Sequence, residues 1–251
     1  MTNLTGKTAV VTGSARGIGK AIALRYASLG ANVVINYISD TTVADATVAE
    51  IEKLGVDAIA VQADLSVPAD LERLFTKSLA RFGAIDIVVA NAGIERIGIP
   101  FLDITEAQFD QLYAINTKGT FFTLQAGARH IADSGRIIYI GSSTTTLPVV
   151  GEGLYGSSKT APLYAVQVLA QEIAHRGVTV NTILPTAIEG AGVFTEYDPD
   201  HPVRHFIAGQ SRIGKRMGTV NDVADAAEYF ASDLAAWVSG QSLLVSGGTP
   251  Q

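Results

Sequence analysis

The sequence predicts an α/β fold, a doubly wound parallel sheet of about seven strands, on three observations. Short apolar, β-branched runs recur along the chain with segments of helical period between them. The first five runs are nearly unbroken rather than alternating apolar and polar, as strands covered on both faces must be. At 251 residues and 47% apolar, the chain can fill one large core, and no linker, internal repeat or low-complexity segment divides it. A single domain over residues 1–251 is expected.

Taken in order, the first strand, Thr8 to Val11, runs into the glycine-rich stretch Thr12-Gly13-Ser14-Ala15-Arg16-Gly17-Ile18-Gly19. A helix follows, with Ile22, Leu24, Tyr26 and Leu29 at helical spacing and Gly30 at its C-terminal stop. The second strand covers Asn32 to Ile35, and Asp40 before Thr41-Thr42-Val43 is a helix N-cap by residue type. After the third strand, Ala58 to Val61, the residues Leu71, Leu74, Phe75, Leu79 and Phe82 mark one helix face, stopped by Gly83. Strands at Ile85 to Val89 and Ile137 to Ile140 flank a long helix that contains Asn116. A helix opened by Tyr155 leads to the sixth strand, Val178 to Leu184, and Pro162 within it predicts a kink. The last strand is Leu243 to Val245. Between 186 and 216 the period is lost around Asp198-Pro199-Asp200-His201-Pro202, and a connection of that length predicts a substrate lid.

Composition removes several function classes. Lys+Arg number 18 against Asp+Glu 24, a net charge of -6 without a basic run, so no nucleic-acid partner is expected. The absence of cysteine excludes a disulfide framework, a thiolate zinc site and a cysteine nucleophile, and suits a reducing compartment. No 18-residue apolar stretch or signal-type segment occurs, so the expectation is a soluble, cytoplasmic protein without membrane contact. His201 and His205 lie four apart, but Pro202 intervenes and no third ligand accompanies them, so no metal is expected. There is no Gly-x-Ser-x-Gly elbow for a serine hydrolase. Lys20 is followed by Ala21, not by the Ser or Thr of a nucleoside-triphosphate P-loop.

A strand, a glycine turn and a helix in that order can hold a pyrophosphate on free backbone amides at the positive end of the helix. Alone, such a turn equally marks an ordinary tight βα connection. Its spacing, however, resembles that of the short-chain dehydrogenase/reductase family, and further motifs agree in order. Asn91-Ala92-Gly93 follows the fourth strand, Asn116 lies in the next helix, Ser142 follows the fifth strand, and Tyr155-Gly156-Ser157-Ser158-Lys159 comes 13 positions later. The resemblance covers the chain from Lys7 to Gly248 and implies a Rossmann-type fold and nicotinamide chemistry. Within the family it points to the NADP-dependent branch that includes 3-oxoacyl-carrier-protein reductases.

Tyr155 and Lys159, four apart on a helix, share a face, so the ammonium can approach the phenol and favour phenolate. Tyr155 is therefore the candidate acid/base, and Ser142 the group that stabilises charge on the substrate oxygen. The resemblance implies that Asn116 holds a proton-relaying water and that Lys159 also binds the nicotinamide ribose. Where an NAD site presents an acid after the second strand, this chain has Asn36-Tyr37-Ile38-Ser39. With Arg16 in the glycine turn, these residues predict NADP(H) as cofactor. By resemblance the cofactor set is Gly13, Ser14, Arg16, Gly17, Ile18, Gly19, Asn36, Tyr37, Ser39, Asp64, Asn91, Ala92, Gly93, Tyr155, Lys159, Pro185 and Ile188, with Asp64 at the adenine and Ile188 at the carboxamide.

Two departures from the family pattern stand out. Thr186 replaces a glycine, and Gly190 a threonine, at the nicotinamide clamp. The substrate, a small-molecule carbonyl or alcohol, would meet Ile94, Leu147, Val149, Leu154, Val193, Phe194 and Tyr197. The reading is an NADP(H)-dependent ketone or aldehyde reductase. Its alternatives are a 3-oxoacyl-carrier-protein reductase, with Arg176 as a docking group, and a non-catalytic NADP-sensing regulator, which the complete set Asn116, Ser142, Tyr155 and Lys159 opposes. A homotetramer is expected from the resemblance and from the apolar composition, with Phe121, Phe122 and the Tyr155 helix among the contacts.

Overall fold

The computed structural model of the chain describes residues 2–195, 198 and 200–249. Its backbone runs β1 (Thr8–Val11), α1 (Gly17–Ser28), β2 (Asn32–Tyr37), α2 (Thr41–Glu52), β3 (Ala58–Gln62), α3 (Pro68–Phe82) and β4 (Ile85–Ala90). It continues through α4 (Glu106–Tyr113), a π-helical turn (Ala114–Gly119), α5 (Thr120–His130), β5 (Ile131–Ile140) and α6 (Gly153–Glu172). The last elements are β6 (Thr179–Pro185), β7 (Ile188–Glu189), α7 (Pro202–Gln210), β8 (Gly218–Thr219), α8 (Val220–Ala231) and β9 (Ser242–Val245). Seven parallel strands form the central sheet in the order β3-β2-β1-β4-β5-β6-β9, the expected doubly wound Rossmann topology. The pair β7–β8 stands apart from it.

The unbroken apolar runs have a direct cause. In β1, Ala9 and Val11 enter the core beneath α1 and α8, while Val10 enters the core beneath α3, α5 and α6. Val33 and Ile35 against Val34, and Ile138 and Ile140 against Ile137 and Tyr139, repeat the division in β2 and β5. Successive residues point to opposite faces, and both faces are dry. Tyr26 of α1 completes one layer: its buried hydroxyl donates to the Ala227 carbonyl of α8 at 3.0 Å.

Local signals behave as their chemistry demands. The Asp40 carboxylate accepts from the Val43 amide at 3.0 Å as the cap of α2, and Gly83 ends α3 at φ 80°. Several strand ends shift by one or two residues from the sequence expectation, and three differences go further. β5 begins at Ile131, with a register irregularity that absorbs the turn-like Asp133-Ser134-Gly135. α6 opens at Gly153, so Tyr155 sits inside its first turn. The stretch 186–216 is only partly irregular: Pro202 is the first residue of α7, where its missing amide costs nothing, and not a break in it. Tyr197 lies outside the described residues. Among those described, no helix is long and apolar enough to cross a membrane, and no group of three His, Asp or Glu could hold a metal.

The carboxyl ends of β1 and β4 lie side by side where the strand order reverses, β2 going one way and β5 the other. Ligands of doubly wound sheets bind in the crevice at such a point.

Candidate active site

The glycine turn leaves β1 and is braced from three strands. The Thr12 hydroxyl donates to the Val89 carbonyl at 3.2 Å and accepts from the amides of Asn91 and Ala92 at 2.9 and 3.0 Å. Asn91 returns its amide hydrogens to the carbonyls of Thr12 and Gly13 at 2.9 and 3.1 Å. From β2, the Asn36 carboxamide accepts from the Gly13 amide at 3.0 Å and donates to the Ala63 carbonyl at 3.0 Å. The Ser14 hydroxyl donates to the Val11 carbonyl at 2.6 Å and accepts from the Asn36 amide at 3.2 Å. The side chains of Ser14, Asn36 and Asn91 thus hold the turn in shape and leave its backbone to face a ligand. A Cβ on Gly19 would sit 2.5 Å from the Gly13 carbonyl and 2.6 Å from the Asn91 amide nitrogen, so nothing larger than glycine permits this approach.

The resulting cradle fits a pyrophosphate. α1 starts at Gly17 with no side-chain cap on its first amides, which leaves its positive end open. Arg16, at the N-cap, is exposed and has no ion-pair partner among the described residues. Tyr37 ends β2 and accepts from the Thr41 hydroxyl at 3.3 Å, beside the exposed Ser39. The Asp64 carboxylate accepts from the amide and hydroxyl of Ser66 at 2.9 and 2.7 Å. Ile18 lies in the first turn of α1, Pro185 ends β6, and the buried Ile188 opens β7.

Three elements meet beside Gly93. A Cβ there would lie 3.0 Å from Lys159 Nζ and 3.1 Å from Asn116 Oδ1, so the bare backbone is what lets both side chains close in. Asn116 sits in the π-helical turn, buried, and clips the Ile94 peptide on both sides. Its Oδ1 accepts from the Ile94 amide and its Nδ2 donates to the Ile94 carbonyl, both at 2.9 Å, with a further bond from Nδ2 to the Ser158 hydroxyl at 3.0 Å. Ser142 follows β5, buried, its hydroxyl accepting from the amide and hydroxyl of Thr144 at 3.3 and 3.0 Å.

The expected pull of Lys159 on the phenol needs correction. Burial pushes the Tyr155 phenol well above its ordinary value, the Glu95 and Glu152 carboxylates push it further, and the Ser142 hydrogen bond opposes them. Lys159 lies with Nζ 5.9 Å from the Tyr155 ring centre and donates instead to the Ile140 carbonyl at 3.2 Å. Burial lowers its ammonium to about 8, with Glu95 working against the shift. The surroundings of Tyr155 thus favour the protonated phenol over phenolate.

Pro162, without a use in the sequence reading, acquires one here. A proline at 162 cannot donate to the carbonyl four residues back, which is that of Ser158. The Thr117 hydroxyl takes that place, donating to the Ser158 carbonyl at 2.9 Å. The bond freed by proline thus joins the turn carrying Asn116 to the helix carrying Lys159. The other departures also have backbone reasons. Gly190 has φ 77°, a conformation a threonine would adopt only under strain, and the Thr186 hydroxyl donates to the Val245 carbonyl at 3.2 Å.

Thr12, Thr117, Ser158 and Glu95 were absent from the sequence-derived site. Thr12, first residue of the glycine motif, and Ser158, next to Lys159 in the helix motif, could have been found from their motifs; Thr117 and Glu95 are marked only by contacts across the fold.

A phosphate cradle at the sheet's reversal point, joined to a serine, a neutral tyrosine and a buried lysine, defines an oxidoreductase that interconverts carbonyl and alcohol groups. The chain belongs to the short-chain dehydrogenase/reductase family. Residues 13–250 match the family model described as enoyl-(acyl carrier protein) reductase. A versicolorin reductase of Emericella nidulans is 38% identical over 255 residues, covering 98% of this chain and 96% of its own. Among solved structures, the promiscuous reductase LugOII, which catalyses keto-reduction at C1 during lugdunomycin biosynthesis, superposes with a TM-score of 0.90 at 39% identity, over 98% of this chain and 99% of that one. A short-chain dehydrogenase from Burkholderia cenocepacia in complex with NADP gives 0.90 at 35% identity, again over 98% and 99%.

Thr117→Val is expected to lower the unfolding free energy by about 1–3 kcal/mol, because the Ser158 carbonyl loses its half-buried partner. Adding Pro162→Ala restores the helical donor, so the double variant should recover part of the loss in urea titrations; strict additivity would contradict the coupling. A second expectation concerns Lys159, whose folded value of about 8 lies below its ordinary 10.5. Between those values the unfolded chain binds more protons than the folded one, so the lysine's contribution makes stability rise with pH across that window and leaves its full penalty below it. Carbon-13 NMR of labelled lysine in the cofactor-free protein should find one side chain titrating near 8; a set titrating wholly near 10.5 would contradict the assignment.

Proposed function

We propose that the chain reduces a moderately apolar ketone or aldehyde with NADPH, and that Asn116, Ser142, Tyr155 and Lys159 are its catalytic set. The observation that carries this reading is the convergence of Ser142, at the end of β5, with the half-buried Tyr155 and the buried Lys159 of α6, in surroundings that raise the phenol above its ordinary value and so favour the acid form that reduction consumes. When bound, the reduced nicotinamide supplies hydride to the carbonyl carbon. Tyr155 gives its proton to the carbonyl oxygen, on which negative charge develops, and Ser142 donates a hydrogen bond to the same oxygen. Lys159 then stands ready to return a proton toward Tyr155. Asn116 Oδ1 and Lys159 Nζ border the same space at Gly93, which supports a relaying water between them. The keto-reduction performed by LugOII and the name of the versicolorin reductase support a ketone as the group reduced.

Cofactor placement follows the cradle. Gly13, Gly17, Ile18 and Gly19 would meet the pyrophosphate; Arg16, Tyr37 and Ser39 the 2′-phosphate; Asp64 the adenine; Asn91 to Gly93, Pro185 and Ile188 the nicotinamide side. Ser14 and Asn36 contribute by shaping the turn. Residues 186–216 act as the substrate lid. The carrier-protein alternative is disfavoured by Arg176, whose guanidinium is spent on Asp133 at 2.8 Å and on the carbonyls of Ala128 and Ile131. The proposed assembly is a cytoplasmic homotetramer, supported by the exposed apolar side chains Phe121 and Phe122 of α5, Tyr164 of α6 and Trp237.

Tyr155→Phe tests the chemistry: turnover of any accepted ketone should fall at least about a hundredfold while NADPH affinity stays within a few-fold. Near-normal turnover would refute the role. The cofactor choice has its own test. A charge-assisted contact from Arg16 contributes roughly 1.5–3 kcal/mol, whereas a tenfold preference requires about 1.4 kcal/mol. NADPH should therefore be favoured over NADH by about tenfold or more in kcat/KM. Arg16→Ala with Tyr37→Asp should reverse that order, chiefly through KM. An unchanged preference in the double variant would move the selectivity to other residues.

A further inference from the structure

Glu95 belongs to none of the motifs, yet it stands where the site meets the segment proposed as its lid. Its position is set by the residue before it: both peptide groups of Ile94 are held by the Asn116 carboxamide. From this fixed base the Glu95 carboxylate accepts a hydrogen bond from the Val193 amide at 2.9 Å, across 98 positions of sequence. Val193 lies in the short 3-10 turn Gly192–Thr195, whose first amides have no partner within the turn. Gly192 has φ 55°, and a Cβ there would stand 2.1 Å from Glu95 Oε2, so the carboxylate reaches the turn only over a bare backbone. The same turn is tied from its other side by Arg204 of α7, which donates to the Phe194 carbonyl at 3.1 Å and pairs with Glu189 of β7.

We infer that Glu95 is a positioning residue: it latches the 192–195 turn to the loop after β4 and so sets the substrate-side wall of the site. The inference rests on reading the Ser142, Tyr155 and Lys159 cluster as a carbonyl-reducing centre. Burial makes the carboxylate costly to ionise, while the Val193 amide and the Lys159 ammonium offset that cost; Tyr155 and Glu152 are its other titratable neighbours. Because Val193 and Phe194 come from the segment it ties, loss of the latch should loosen ketone binding and spare the cofactor, whose cradle is built from other strands.

Hydrogen exchange over residues 188–195 of the cofactor-free protein tests this directly. Glu95→Ala should speed exchange at the Val193 amide by roughly tenfold or more, and Glu95→Gln, which keeps an acceptor, should stay within about threefold of the parent. Gly192→Ala, which displaces the carboxylate without removing it, should resemble Glu95→Ala. In turnover, Glu95→Ala should raise KM for the ketone by about fivefold or more, with KM for NADPH within about twofold, and Glu95→Gln should rescue it. Unchanged exchange at Val193 in Glu95→Ala overturns the latch, as does a KM increase that falls equally on ketone and NADPH. A parent protein inert towards every ketone, but with the expected exchange pattern, would refute the reductase reading and uphold the latch.

Discussion

The five residues that leave β4, Asn91 to Glu95, are the constraint on which the site depends, because each fixes a different part of the fold. Asn91 holds the glycine turn through two carbonyls, and Ala92 ties the loop to Thr12 of that turn. Gly93 leaves the room that Asn116 and Lys159 occupy, Ile94 is clipped by Asn116, and Glu95 catches the Val193 amide. A loop with so many partners must stand where several elements converge. The reversal of strand order between β1 and β4 provides that place, since neither neighbouring crossover covers the strand ends there.

The electrostatics of the centre follow from its dryness. Desolvation holds the proton on the half-buried phenol and loosens it from the buried amine, and the half-buried Glu95 carboxylate pushes both values upward. The opposing directions for Tyr155 and Lys159 favour the protonated phenol and ease the loss of the lysine's proton. A helix-face pairing of the two residues does not account for this, because Lys159 donates to Ile140 and not to the phenol.

Much of the architecture was legible in the sequence for one reason: strands with two dry faces cannot alternate, and their unbroken runs at Thr8, Asn32, Ile85 and Ile137 stand out against the helices between them. The start of β5 at Ile131 was not legible, since Asp133-Ser134-Gly135 has the chemistry of a turn and joins the strand only through an irregular register with β4. α7 was hidden because Pro202 resembles a break until its place at the first helical position is known. For the site, the order Gly13, Asn91, Ser142, Tyr155 and Lys159 identified the chemistry, while Thr117 and Glu95 carry no local pattern.

By itself, the sequence determined the doubly wound sheet, the glycine turn that follows its first strand and the class of reaction. These depend on periodicity and on spacing within single elements, which a linear chain records. The tertiary structure alone decided that Asn36 and Ser14 brace the turn, that Pro162 hands the Ser158 carbonyl to Thr117, and that Glu95 reaches Val193. It also set the direction in which Tyr155 and Lys159 titrate. The physical reason is common to all of these: hydrogen bonds between distant segments and the removal of water around a charge come into being only when the elements pack, and no residue's type or spacing records them beforehand.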